Sequence, residues 1–144
     1  MLDRLLVERK AAHVAQYLDQ LRRHGQIRLQ RFTEDLTTRY AVERLMQLIV
    51  DEAIDINGHV ILATRQAPPR DYYASFIQLG RLGACSRSLA SSLAPTTALR
   101  NALVHEYEDV DVKEVHRNIQ RFLSFYPRYL REVLRFVKRF SPQR

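Results

Sequence analysis

Apolar residues along this chain recur every three or four positions and not in alternation, which is the spacing of one face of an α-helix. Leu2, Leu6, Val14, Tyr17, Leu18 and Leu21 mark a first helix that fades at Gly25, a residue type suited to closing a helix. A second helix runs from about Glu34 to about Ala63. Its positions Val42, Leu45, Met46, Ile49, Ala53, Ile56 and Val60 form an apolar stripe, and Tyr40, Arg44, Gln47, Asp51 and Asp55 form a second, polar one. The segment Gln66-Ala67-Pro68-Pro69-Arg70 breaks the chain, because proline has no N–H to donate and pushes its predecessor out of the helical region. A shorter helix follows from about Tyr72 to Leu82, then another over Ser86 to Leu93, an interruption at Pro95, and a helix from about Thr97 that carries the chain to Tyr107. Asp111 and Glu114 have the spacing of a capping box that opens a last helix reaching about Phe140, with Pro127 expected to kink it near Tyr126. With four glycines and no Asn-Gly or Asp-Gly pair there is no hairpin signal. The expected fold is all-α: a single-domain bundle of about five helices over residues 1–144, with no internal repeat and no linker long enough to divide it.

Composition narrows the setting. At 144 residues and 46% hydrophobic content, the chain can build a core without help from metals or disulfides. Cys85 is the only cysteine, so neither an intramolecular disulfide nor a multi-cysteine metal site can form, and an inert buried thiol is expected. Met1 leads into Leu2-Asp3-Arg4, not a basic segment followed by a long apolar run, and no later run is long enough to span a bilayer; a cytoplasmic protein without membrane contact is expected. The net charge is +7, and of 23 basic residues only Lys10, Lys113 and Lys138 are lysines. Arginine's planar fork matches phosphate and stacks on bases, which suits a nucleic-acid partner; a GC-rich genome would produce the same bias.

Chemistry concentrates in Arg100-Asn101-Ala102-Leu103-Val104-His105-Glu106-Tyr107. On a helix Asn101 and His105 share a face, whereas Arg100 and His105, five apart, diverge by about 140°. One copy therefore points its two best catalytic groups partly away from each other, and two copies meeting across a two-fold axis would converge them in one cleft. The set suits metal-free cleavage of RNA by its own 2′-hydroxyl. His105 is the type of group that exchanges protons near neutrality, Arg100 supplies a fixed cation for the phosphoryl oxygens, Asn101 can orient either, and Tyr107 can position phosphate.

The same eight residues resemble the signature of the HEPN superfamily: Arg, Asn, three mostly apolar residues, His, one residue, Tyr. That longer form is similar to the HepT-like branch, the toxin half of HepT/MNT toxin-antitoxin modules, and Asp55-Ile56-Asn57-Gly58-His59 resembles that branch as well. The resemblance covers nearly the whole chain and implies a homodimeric helical bundle with ribonuclease activity, without cofactor or metal. It implies RNA, single-stranded or tRNA, as substrate and a minimal nucleotidyltransferase as antitoxin. By position it makes Arg100 and His105 catalytic and Tyr107 the acceptor of AMP from ATP; Asn101 joins the catalytic set as the group that can orient them.

Other features keep two readings. Arg117, Arg121, Arg128, Arg131, Arg135 and Arg139 make one basic stripe along the last helix, either an RNA track with Arg117, Arg121 and Arg128 as its first members or a solvated face. Phe122, Phe125, Tyr126, Tyr129, Val133, Phe136, Val137 and Phe140 are core, or partly a dimer surface. Asp51 and Asp55, one turn apart, either support the site from a neighbouring helix or are solvated. His13, His24, His59 and His116 are scattered and read as surface or structural. There is no Gly-rich phosphate loop, nucleophile elbow or Cys-His constellation. Two rivals to a nuclease toxin remain: a non-enzymatic module that binds nucleotide or presents substrate to a nucleotidyltransferase, and a helical scaffold with a nonspecific basic surface.

Overall fold

A computed structural model describes residues 2–105 and 107–140, with Tyr107 as backbone only. Their elements are α1 (Arg4–Arg22), α2 (Leu29–Glu34), α3 (Leu36–Ala63), α4 (Tyr72–Arg81), α5 (Arg87–Leu93), α6 (Thr96–His105), a 3-10 turn (Tyr107–Asp109) and α7 (Val112–Phe140). The expected helices are all present, and α2 is additional. Only Phe32 of its six residues is buried, too little for a periodic stripe. Asp35 closes α2 and caps α3, its Oδ1 accepting the Thr38 N–H at 3.1 Å, which is why the long helix starts at Leu36. The capping box at α7 is half made. Asp111 Oδ1 accepts the Lys113 N–H at 2.9 Å, but the Glu114 carboxylate turns to Arg117 and Asn118. Helix α7 runs unbroken through Pro127.

The long α3 is the axis of the molecule: α1, α2, α4, α6 and α7 all pack on it. Val42, Met46, Ile49, Ala53, Ile56 and Val60 of the expected apolar stripe are fully buried, Leu45 is half-buried, and all belong to one continuous core. On α7, Phe122, Tyr126, Tyr129, Val133 and Val137 are buried in that core, Phe125 and Phe136 are partly covered, and Phe140 is exposed. Tight closures place the connections. Gly83 (φ 85°) ends α4 in the left-handed region, where the Ala84 N–H reaches back to Leu79 O at 3.0 Å. A Cβ on Gly80 would stand 2.9 Å from Ala90 Cβ, so α5 lies against α4 only because that position is bare.

Two phenols on α7 are fully buried, and each has a partner on a different helix. Tyr129 Oη donates to Asn57 Oδ1 at 2.6 Å, with Ala53 O at 3.1 Å, and Asn57 Nδ2 donates to Ser75 Oγ at 3.1 Å; this chain of bonds joins α7, α3 and α4. Ser75 Oγ passes its own proton to Tyr72 O at 2.7 Å. Tyr126 Oη lies 2.8 Å from Thr96 Oγ1 at the first residue of α6. The threonine gives its single proton to Leu93 O at 2.6 Å, so Tyr126 is the donor. Burial pushes both phenols well above their ordinary pKa, so both remain protonated donors.

Removing one partner of such a chain strands the other in the core. Tyr129→Phe is expected to cost about 1–3 kcal/mol in urea unfolding, because Asn57 Oδ1 loses its donor. The double variant Tyr129→Phe/Asn57→Leu should lose less than the sum of the two single changes, and additive losses would show that the bond carries no coupling.

Candidate functional site

Helix α6 begins where Pro95 ends the preceding turn. Thr96 and Thr97 fold their hydroxyls back onto Leu93 O and Ala94 O at 2.6 and 2.8 Å. Leu99 and Leu103, four apart, press into the core. That rotation sets Arg100 on the flank that meets the polar stripe of α3. Three groups hold its guanidinium. Nε donates to Asp51 Oδ1 at 2.6 Å, Nη1 donates to Asn101 Oδ1 at 3.2 Å, and Cζ lies 5.3 Å from the centre of the Tyr72 ring. The ring distance is within cation–π range. The Arg100 side chain is 17% exposed and that of Asp51 32%, so this ion pair is more shielded from water than an ordinary surface pair.

Of the residues singled out from the sequence, Arg100, Asn101 and Asp51 are brought together. His105 is exposed in the last turn of α6, and among the described residues no hydrogen bond joins it to Arg100. Both residues belong to the regular helix α6, on which five positions separate them by about 140°. Tyr107 opens the 3-10 turn, and its side chain lies outside the described residues, as does Glu106. Asp55 is not at the site: it is exposed and takes Lys10 Nζ of α1 at 3.1 Å. Arg117 and Arg121 are drawn to Glu114, and Arg128 stands 3.8 Å from Glu132. The histidines other than His105 have structural partners in three cases. His59 Nε2 accepts the Asp3 N–H at 2.8 Å, His116 Nε2 donates to Ile27 O at 2.7 Å, and His13 Nδ1 sits 2.7 Å from Glu52. Cys85 is buried, and burial raises its thiol to about 12, so it stays protonated and inert.

Sequence spacing does not anticipate Tyr72. Its contact with Arg100 joins helices 28 positions apart in the chain, and the available signal is local: an aromatic residue after Asp71, whose Oδ1 caps α4 by accepting the Ala74 N–H at 2.7 Å. Two hollows flank α6. The larger, about 630 Å³, lies between α6 and α7 on the side away from Arg100 and is lined by Leu99, Ala102, Val110, Glu114 and Arg121 among others. The smaller, about 200 Å³, lies between α3 and α6 and is lined by Tyr40, Glu43, Arg44, Gln47 and Leu103.

Comparison with known proteins identifies the family of the chain and the likeness of its fold. The family model described as ribonuclease HepT-like matches residues 14–136. The chain is 33% identical over 132 residues to the tRNA nuclease HepT of Aphanizomenon flos-aquae (strain 2012/KM1/D3), covering 92% of this chain and 90% of that protein. It is 24% identical over 99 residues to the mRNA nuclease HepT of Shewanella oneidensis, 69% of this chain and 74% of that protein. The fold is similar, at a TM-score of 0.80 and 21% identity, to the tri-AMPylated Shewanella oneidensis HEPN toxin solved in complex with MNT antitoxin, with 92% of this chain and 98% of that one covered. No helix among the described residues is long and apolar enough to cross a membrane.

Proposed function

Because the chain belongs to the HepT-like ribonuclease family, we propose that it is the ribonuclease toxin of a toxin-antitoxin module and acts in the cytoplasm. The observation that carries this reading is the Arg100 guanidinium, held from three sides on the helix that ends in an exposed His105. RNA supplies its own nucleophile. The 2′-hydroxyl gives up its proton and attacks the adjacent phosphorus, the bond to the 5′-oxygen breaks, and that oxygen is protonated as it leaves. His105 accepts or returns the proton, and Arg100 stabilises charge on the phosphoryl oxygens from a position fixed before substrate arrives. No step in this route requires a metal. RNA is the substrate class, and tRNA is the first to test because the 33% identical relative is a tRNA nuclease.

The separation of Arg100 from His105 within one chain supports a homodimer in which a single shared cleft combines groups of both copies. Val104, exposed beside His105, and the hollow between α6 and α7, with Leu99, Val110 and Phe125 in its lining, are the surfaces that favour such a contact. Silencing falls to Tyr107. A nucleotidyltransferase antitoxin brings ATP, the phenol oxygen attacks the α-phosphorus, and pyrophosphate departs. The tri-AMPylated relative in complex with its antitoxin supports this assignment, as does the place of Tyr107 two residues beyond His105. The attached anion and purine then compete with RNA phosphate for Arg100 by charge and volume together.

Alanine at Arg100 or at His105 should lower RNA cleavage by about 100-fold or more while circular dichroism stays unchanged. Mixing the two inactive variants should restore part of the activity through hybrid dimers, and a mixture no better than its components contradicts the shared cleft. Tyr107→Phe should gain no AMP-sized mass increment on incubation with the antitoxin and ATP, whereas the unaltered protein should gain one. An increment that persists in Tyr107→Phe assigns the modification elsewhere.

A further inference from the structure

The polar stripe of α3 is only partly used by the chemistry above. Asp51 holds Arg100, while Tyr40, Arg44 and Gln47 continue the same face at intervals of four, three and four residues and, with Glu43 and Leu103, line the hollow of about 200 Å³ between α3 and α6. We propose that this hollow is a nucleobase subsite, which seats an RNA base next to the scissile phosphate and gives the enzyme a base preference there. The inference rests on the ribonuclease reading and adds a site to it.

Three observations carry it. The first is position. Gln47 stands one turn of α3 from Asp51, and Leu103 stands nearly one turn of α6 from Arg100, so the hollow begins about 5 Å along the seam from the guanidinium. That is the scale on which a base stands away from its own phosphate. The second is its chemistry. Tyr40 is 53% exposed, an aromatic face open to stacking, and Leu103 supplies an apolar floor. Single-stranded RNA is recognised by bases splayed onto such aromatic faces and read along their edges. Gln47 offers a carboxamide with one acceptor and two donors, the group that pairs with adenine through two bonds. The third is charge. The only acid in the lining, Glu43, is buried and receives Arg39 Nε at 2.9 Å, so its charge is matched, while Arg44 adds a cation to the wall. Within this lining, among the described residues, an RNA strand entering past Arg44 therefore meets no uncompensated carboxylate.

Steady-state cleavage of short RNAs that vary one base beside the cut tests the proposal, with Tyr40→Ala, Tyr40→Phe and Gln47→Ala compared with the unaltered protein. Tyr40→Ala should raise KM roughly 5- to 100-fold with kcat much less affected, the range expected for loss of one stacked base, and Tyr40→Phe should restore it. Gln47→Ala should flatten the base preference while cleavage continues. Folded Tyr40→Ala and Gln47→Ala proteins with unaltered KM and preference overturn the subsite. A KM effect that accompanies loss of dimer mass in light scattering also overturns it, because the hollow is then a contact between chains. If the unaltered protein does not cleave RNA, or His105→Ala cleaves equally well, the ribonuclease reading fails; if His105→Ala is inactive and the hollow variants behave as the unaltered protein, the subsite alone fails.

Discussion

Two buried hydroxyl groups decide where the motif helix lies. A phenol without water needs a hydrogen-bond partner, and leaving one unpaired costs about 1–3 kcal/mol, a large part of what holds a small domain folded. Tyr129 finds Asn57 on α3, and Tyr126 finds Thr96 at the start of α6. The three helices are thereby fixed relative to one another at hydrogen-bond precision, where apolar packing alone tolerates repacking. Once Thr96 is set, the rotation of α6 follows from Leu99 and Leu103, and Arg100 falls opposite Asp51. The same chain of bonds reaches α4 through Ser75, whose proton goes to the carbonyl of Tyr72, so the ring that stacks on Arg100 is placed by the core beneath it.

On the nuclease reading proposed above, the site divides its labour. Arg100 is held by a carboxylate, an amide and an aromatic face, so little reorganisation remains when a phosphate arrives, which is how a fixed cation gains over a mobile one. Asp51 also withdraws part of the charge that would attract RNA. In that reading orientation is favoured over raw attraction, with the chain's net charge of +7 available for a long-range pull on RNA. His105 lies exposed at the helix end. A rigid cation and an accessible proton carrier on diverging faces suit a cleft completed by a second copy, and the exposed stripe from Tyr40 to Gln47 suits a strand laid along it.

Much of this was legible in the sequence, and the exceptions share a cause. Long stripes mark α1, α3 and α7, and Arg100 and His105 lie on one helix as their spacing led us to expect. Helix α2 escaped notice because one buried phenylalanine makes no period. Asp51 and Asp55 look equivalent in a list of spacings, but four residues turn a helix by about 400°, leaving them roughly 40° apart, enough to send one to α6 and the other to Lys10 of α1. The basic stripe of α7 is continuous in sequence, yet Arg117 and Arg121 are drawn to Glu114, an acid that the capping-box pattern assigned to the backbone. The stacking of Tyr72 on Arg100 and the partners of the buried tyrosines are tertiary, and no local pattern encodes them.

The central claim is that RNA is cut by its own 2′-hydroxyl at the Arg100 and His105 pair. The most direct measurement is the chemistry of the new ends when purified protein acts on RNA in EDTA. Cleavage by this route leaves a 2′,3′-cyclic phosphate, or the phosphate from its hydrolysis, opposite a 5′-hydroxyl, at a rate the chelator does not change. New 5′-phosphate ends, or activity lost to EDTA and restored by magnesium, would contradict it.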